Sequence, residues 1–152
     1  MSTEICLLLH KGLDTIVREW TEKVMSDERI QSDAQLTRAQ LLDHIPQIIE
    51  ELGLALANER SEATDLKKGR DHGRLRWRQD FDLKEVLREL MLLRTVLMEH
   101  IHHHVTARQQ PIDQLSRSYQ RINLFMDEEI YMSVEAYLGT LPDARSLVGA
   151  VT

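Results

Sequence analysis

Apolar residues recur along this chain at steps of three and four positions, and nowhere do they alternate with polar residues at every second position. The first period is typical of an α-helix with one buried face, whereas alternation would indicate a half-buried strand. The pattern therefore predicts an all-α fold, a single-domain helical bundle whose helices share one core. A length of 152 residues suits one such domain.

About five main helices follow from the apolar stripes and from the residues that begin or end them. Thr37-Arg38-Ala39-Gln40 has the form of a capping box that opens the second helix. Pro46 lies inside that helix and predicts either a kink or a start delayed to Pro46. Asp82 is a predicted N-cap for the fourth helix, and Pro111 suits the first turn of the fifth. The predicted helices cover roughly 5–24, 37–55, 61–77, 82–105 and 111–140.

Two segments are predicted by composition. Residues 1–140 carry the stripes and form the helical domain, whereas residues 141–152 are small and weakly polar and predict a short helix or a linker. The formal net charge of -6 argues against nonspecific nucleic-acid binding, which requires a basic face. Cys6 is the one cysteine, so a reducing compartment is favoured. With no signal-peptide pattern and no apolar run of about 20 residues, we predict a cytoplasmic location and no membrane span.

A histidine-rich segment, Glu99 to His104, ends the fourth helix. Glu99 and His102 have the Glu-x-x-His spacing of di-iron bundles, but no second such pair exists in the chain. Successive side chains on a helix diverge by about 100°, so the segment favours a solvated helix end over a metal site. A metal- or haem-binding bundle, resting on Glu99, His100, His103 and His104, remains the alternative function. We predict no catalytic residue and no cofactor.

The strongest candidate site is His72 with Arg76, one helical turn apart in a basic run from Lys67 to Arg78. Gly73 beside them permits close approach of another backbone. The pattern is compatible with a solvated basic edge or with a small anionic ligand held at a concave surface between the third and fourth helices, near Trp77.

Arg94 is the second candidate, because it interrupts the apolar stripe that contains Leu90 and Leu97. A guanidinium on a core face requires a carboxylate or a ligand as its partner. Asp43 and Glu89 are the predicted partners.

Several of these segments, in this order, resemble the N-terminal domain of RsbRD-type proteins, the RsbT co-antagonists. Leu36 to Pro46, containing His44, matches the start of the second helix; His72-Gly73 with Arg76 matches the third; Phe81-Asp82-Leu83 with Glu89 and Leu93-Arg94 matches the fourth. Leu90 departs from the pattern, which has an aromatic residue there. The candidate ligand- or partner-binding residues are His44, His72, Arg76, Trp77 and Arg94.

The resemblance implies a noncatalytic bacterial sensory or regulatory domain, usually dimeric, that controls a C-terminal kinase or STAS output module. Such a domain senses a small molecule or a partner and passes a conformational change through its last helix. No output module is visible in the chain, so we expect either a fragment of a longer protein or a stand-alone regulator of a cognate signalling protein. A homodimer through the first or fifth helix is the expected assembly.

Overall fold

The computed structural model describes residues 2–57, 67–107 and 111–140, and these residues form a helical bundle with no β-strand among them. The predicted all-α fold is therefore confirmed. Residues 61–66 of the predicted third helix and the predicted linker at 141–152 lie outside the described residues. The helices are α1 Ser2–Lys11, α2 Leu13–Ser26, α3 Arg38–Leu42, α4 Ile45–Ala57, α5 Lys67–Arg78, α6 Leu83–Ala107 and α7 Ile112–Thr140, with a 3₁₀ turn at Ser32–Gln35.

The first predicted helix is divided at Gly12. Backbone hydrogen bonding continues across the division, because the N–H of Gly12 donates to Leu8 O at 2.9 Å and the N–H of Ile16 donates to Gly12 O at 2.9 Å. A Cβ at Gly12 would overlap the imidazole of His100. Glycine at this joint therefore lets α6 pack directly against the α1–α2 junction.

The second predicted helix is also divided, into α3 and α4. The capping box is confirmed: Gln40 N–H donates to Thr37 Oγ1 at 3.2 Å, and Thr37 N–H donates to Gln40 Oε1 at 2.8 Å. The chain then turns at His44, whose φ of +72° lies in the left-handed region. Because α4 begins at Ile45, Pro46 falls in its first turn, where proline is tolerated.

The core lies between α2, α4, α6 and α7. The Trp20 indole N–H donates to the backbone oxygen of Glu89 at 2.9 Å and so ties α2 to α6. Fully buried side chains of this core include Ile16, Trp20, Ile45, Ile48, Leu52, Val86, Leu90, Leu93, Leu97, Ile122 and Met126.

Helices α5 and α7 touch at Gly73. A Cβ at this position would overlap the backbone carbonyl of Ser133, so the predicted close approach of another backbone at this glycine is confirmed. Helix α5 therefore packs on α7 without a side chain between the two backbones. No helix in the described ranges is long and apolar enough to cross a membrane.

Candidate functional site

Three polar side chains, His72, Arg76 and Glu89, form a buried cluster that we call the α5–α6 triad. Helix α5 places His72 and Arg76 one turn apart, and both reach the same carboxylate oxygen of Glu89 on α6. His72 Nε2 lies 2.5 Å from Glu89 Oε1, and Arg76 Nε donates to that oxygen at 2.8 Å. The three side chains are 0% exposed. A charged cluster thus lies inside the bundle.

The remaining hydrogen bonds of Arg76 connect the triad to α3 and to Gln79, just after α5. Its Nη2 donates to the backbone oxygen of Leu41 at 2.6 Å, and its Nη1 donates to Gln79 Oε1 at 2.6 Å. The guanidinium carbon lies 4.7 Å from the centre of the Phe81 ring. Carbonyl groups at a helix C-terminus lack partners within the helix, so a cation there is favourable. Arg76 therefore links α3, α5 and α6.

Burial and neighbouring charges set the protonation of the triad. Burial by itself would raise the pKa of Glu89, but Arg76 and His72 outweigh it and hold that pKa below its usual value. Burial lowers the pKa of His72, and the charge of Arg76 and the nearby His44 act in the same direction, although Glu89 opposes them. At neutral pH the triad is thus an ion pair of Arg76 and Glu89 with a neutral His72. Because a carboxylate only accepts, His72 donates through Nε2.

The structure confirms that His72 and Arg76 lie together, but the predicted concave surface is wrong. Both side chains are enclosed between α5 and α6, and the anion they hold is Glu89 of the same chain. The alternative of a solvated edge is wrong for this pair also; Arg70, Arg74 and Arg78 are the exposed arginines of this helix. Glu89 lies three residues after Val86 and four before Leu93, both buried. That spacing is the sequence signal that could have identified it.

Trp77 does not join the triad. It is half-buried and lines a separate surface pocket of about 500 Å³ with Arg78, Asp80 and Tyr137. The Tyr137 hydroxyl donates to the backbone oxygen of Phe81 at 2.6 Å, which fixes one wall of this pocket. This pocket therefore lies beside the triad and includes neither His72 nor Arg76.

His44 lies at the edge of the triad. It is half-buried and follows α3, the helix in which Leu41 accepts a hydrogen bond from Arg76. It is also close enough to His72 to lower the pKa of that histidine. A left-handed backbone costs a non-glycine residue on the order of 1 to 3 kcal/mol, so the surrounding packing holds this turn in place.

Arg94 is partly buried, with 27% of its side chain exposed, and pairs with α7 rather than with the triad. Its Nη2 donates to Asp127 Oδ1 at 2.7 Å, and its Nη1 donates to Asn123 Oδ1 at 3.4 Å. The predicted partial burial and carboxylate partner are confirmed. The suggested partners Asp43 and Glu89 are wrong, because α7 packs beside this face of α6 and Glu89 faces α5.

We expect Arg94→Leu to lower the free energy of unfolding by no more than about 1 kcal/mol. The partner carboxylate of Asp127 is 63% exposed and regains water when the guanidinium is removed. Urea denaturation would measure the change, with Arg117→Leu, an exposed position on α7, as the control. A loss of several kcal/mol for Arg94→Leu alone would contradict this account of the pair.

A second buried polar cluster pairs Glu129 of α7 with Glu51 of α4. Glu129 is 0% exposed and lies close enough to Glu51 for the charge of that carboxylate to act on it. Burial, followed by the charge of Glu51, raises the pKa of Glu129 to about 9, so Glu129 is protonated at neutral pH. This cluster was not predicted. Glu129 follows Met126 by three residues and Ile122 by seven, which is the spacing of the α7 core stripe.

The histidines at the end of α6 have different surroundings. His100 is buried against Gly12, His102 and His103 are exposed, and the His104 Nδ1–H donates to His100 O at 2.8 Å. Burial lowers the pKa of His100. In the described part of the chain, no three histidine, cysteine or acidic side chains gather as a metal site would require.

No curated protein and no solved structure matches this chain. One family model matches, that of the RsbT co-antagonist protein rsbRD N-terminal domain, and it covers residues 14–146. The match includes every member of the triad and the pairs Arg94–Asp127 and Glu51–Glu129. Because it covers most of the 152 residues, the chain belongs to the family of RsbT co-antagonist rsbRD N-terminal domains.

Proposed function

We propose that this domain is a noncatalytic bacterial signal-input module that senses a small molecule or a partner protein and biases a kinase or STAS output module. Membership in the RsbT co-antagonist rsbRD N-terminal domain family supports a regulatory role in stress signalling. The single cysteine is compatible with the reducing cytoplasm that we propose as its location.

The direct contact between α5 and α7 carries this proposal. Helix α5 holds the triad on one side, and at Gly73 its backbone touches the backbone of Ser133. Packed interiors do not deform continuously, so a displacement of α5 displaces α7 or breaks the contact. Helix α7 has 29 residues and ends at Thr140. It is about 43 Å long and would carry the displacement towards the residues that follow.

The triad gives α5 one defined resting position on α6. The buried Arg76–Glu89 ion pair is stable in one geometry, because neither charge is hydrated and each is stabilised by contact with the other. His72 and Arg76 already hold Glu89, so we propose that a ligand or partner acts on α5 from outside the triad. Trp77 on α5 and Arg94 on the neighbouring α6 are partly exposed and are the proposed contact residues, while His44 supports the triad from the α3–α4 turn.

The experiment compares two glycines in the full-length protein whose output the domain controls. A Cβ at Gly73 overlaps α7, whereas a Cβ at Gly139 meets no atom within 4 Å. We expect Gly73→Ala to change the response of the output to its signal by at least about fivefold. Gly139→Ala should leave the response unchanged, and so should Ile16→Val, a core truncation on α2. Equal responses in Gly73→Ala and wild type, with both proteins folded, would contradict the proposal.

A homodimer through α7 is the proposed assembly. Leu124, Tyr131 and Leu138 are 67%, 63% and 43% exposed and follow one another at intervals of seven residues. Apolar residues at this interval form a seam along one side of a helix, which suits a second copy of α7.

We expect the wild-type domain to sediment as a dimer at low micromolar concentration and Leu124→Asp/Tyr131→Asp to sediment as a monomer. The buried aspartates would lack partners in the seam. Glu128→Ala, on the same exposed face, is the control. A wild-type monomer up to high micromolar concentration would rule out the α7 seam as a dimer interface.

A further inference from the structure

A second candidate site lies between α1 and α4, away from the triad. This α1–α4 pocket has a volume of about 310 Å³, and its apolar surface includes Leu9, Leu13 and Ile49. Leu7 and Leu54, 51% and 66% exposed, stand at its rim. The volume is at the lower end of the range for small-molecule sites, so the pocket suits a compact ligand.

A missing side chain keeps the pocket open. Gly53 is buried in the interior of α4, where glycine costs roughly 0.5 to 1 kcal/mol relative to alanine. A Cβ at this position would lie 3.4 Å from Cys6 Sγ, an ordinary contact distance, so no close backbone approach requires glycine here. Glycine therefore destabilises α4 slightly although no neighbouring backbone requires it, and its missing side chain leaves space in the pocket beside Cys6.

The polar groups of the pocket select against a charged ligand. Besides the Cys6 thiol, the polar side chains that line it are His10 from α1 and Glu50 from α4, both exposed. Because both are exposed, a pair between either of them and a ligand charge would contribute at most about 1 kcal/mol, which does not offset the cost of burying that charge against the apolar walls. Apolar walls with polar groups of both kinds instead fit a neutral molecule with one hydrogen-bonding group.

We propose that the α1–α4 pocket binds a compact, uncharged apolar molecule with one hydroxyl group, of the class of medium-chain alcohols. The claim that ligand binding regulates the output rests on the proposed sensory function, whereas the claim that the pocket binds the ligand does not. A bound molecule would fill the space beside Gly53 and hold α1 against α4. Because the α1–α2 junction meets α6 at the Gly12–His100 contact, a shift of α1 on ligand binding would act on the helix that supplies Glu89.

Cys6 makes the test direct, because it is the one cysteine in the chain and lies in the pocket. The rate of Cys6 alkylation by N-ethylmaleimide is measured with 1-octanol, octanoate or octylamine present. Glutathione alkylation in the same solutions corrects for effects on the reagent. We expect 1-octanol to slow Cys6 labelling about tenfold at ten times its dissociation constant, since only empty pockets react. The two charged compounds should protect much less.

Glu50→Lys supplies the matched variant, because the position is exposed and the change does not disturb the core. Glu50→Lys should let octanoate protect Cys6 from labelling. Glu22→Lys, at an exposed position on α2, should leave the ranking of 1-octanol, octanoate and octylamine by protection of Cys6 unchanged. Equal protection by all three compounds, or none by 1-octanol, would overturn the proposal. Slower Cys6 labelling at higher protein concentration, with no compound added, would also overturn it, because a second copy of the chain would then fill the pocket. Protection without a change in output would uphold the site but show that its occupancy does not regulate the output.

Discussion

Replacing Glu89 with leucine is expected to lower the free energy of unfolding by about 3 to 5 kcal/mol, because it leaves the charge of Arg76 buried without a carboxylate partner. Arg76 and Glu89 are both 0% exposed, so water cannot replace the lost carboxylate. His72 loses its acceptor in the same step. Urea denaturation followed by circular dichroism measures the change, and a large part of the variant should be unfolded without denaturant.

Two further variants separate the charge effect from simple loss of packing. Glu99→Leu removes an exposed glutamate from the same helix and should change stability by less than about 0.5 kcal/mol. Glu89→Leu combined with Arg76→Met removes both charges and should recover part of the loss. If Glu89→Leu costs no more than Glu99→Leu, the buried ion pair does not stabilise the fold.

The free energy of unfolding of wild type is expected to fall as the pH rises, and Glu129→Gln is expected to abolish this fall. The pKa of Glu129 is raised to about 9, against 4.5 for an ordinary glutamate. Between these values the folded chain holds a proton that the unfolded chain releases, so wild-type stability falls by up to about 1.4 kcal/mol per pH unit. Glutamine has no proton to lose, and the variant should be the more stable protein at pH 9.

Thermal unfolding from pH 6 to pH 9 measures this difference. Glu128→Gln, at the exposed neighbouring position, is the matched control and should follow wild type at every pH. Parallel curves for Glu129→Gln and wild type would show that Glu129 is already ionised in the folded protein.

The triad has the opposite pH dependence. The pKa values of Glu89 and His72 are both lowered, so the stabilisation they give is complete above the unfolded values, 4.5 and 6.5, and is lost as the pH falls. Taken together, the two clusters place the stability maximum between about pH 4.5 and 6.5, because the triad loses stabilisation below that range and only the loss from Glu129 continues above it.

Local sequence determined the helices of this domain. Capping bonds, apolar stripes and proline positions involve residues no more than about four positions apart, so they can be read along the chain. The Thr37–Gln40 capping box and the first-turn position of Pro46 follow from such spacing. The one-turn separation of His72 and Arg76 also belongs to α5 alone. The division at Gly12 is not predicted, because it lies at a tertiary contact with His100, whereas the helix start delayed to Pro46 is one of the two predicted alternatives and agrees with the turn at His44.

Only the tertiary structure decided which charges meet. Glu89 faces α5, Arg94 meets Asp127 on α7, and Glu51 of α4 lies beside Glu129 of α7. Each pairing depends on how far two helices are rotated about their axes, and the apolar period does not fix that angle to within one side chain. The same limit explains why a pair predicted at a concave surface is enclosed. The sequence places His72 and Arg76 on one side of α5, and the packing of α6 decides that this side is closed to solvent.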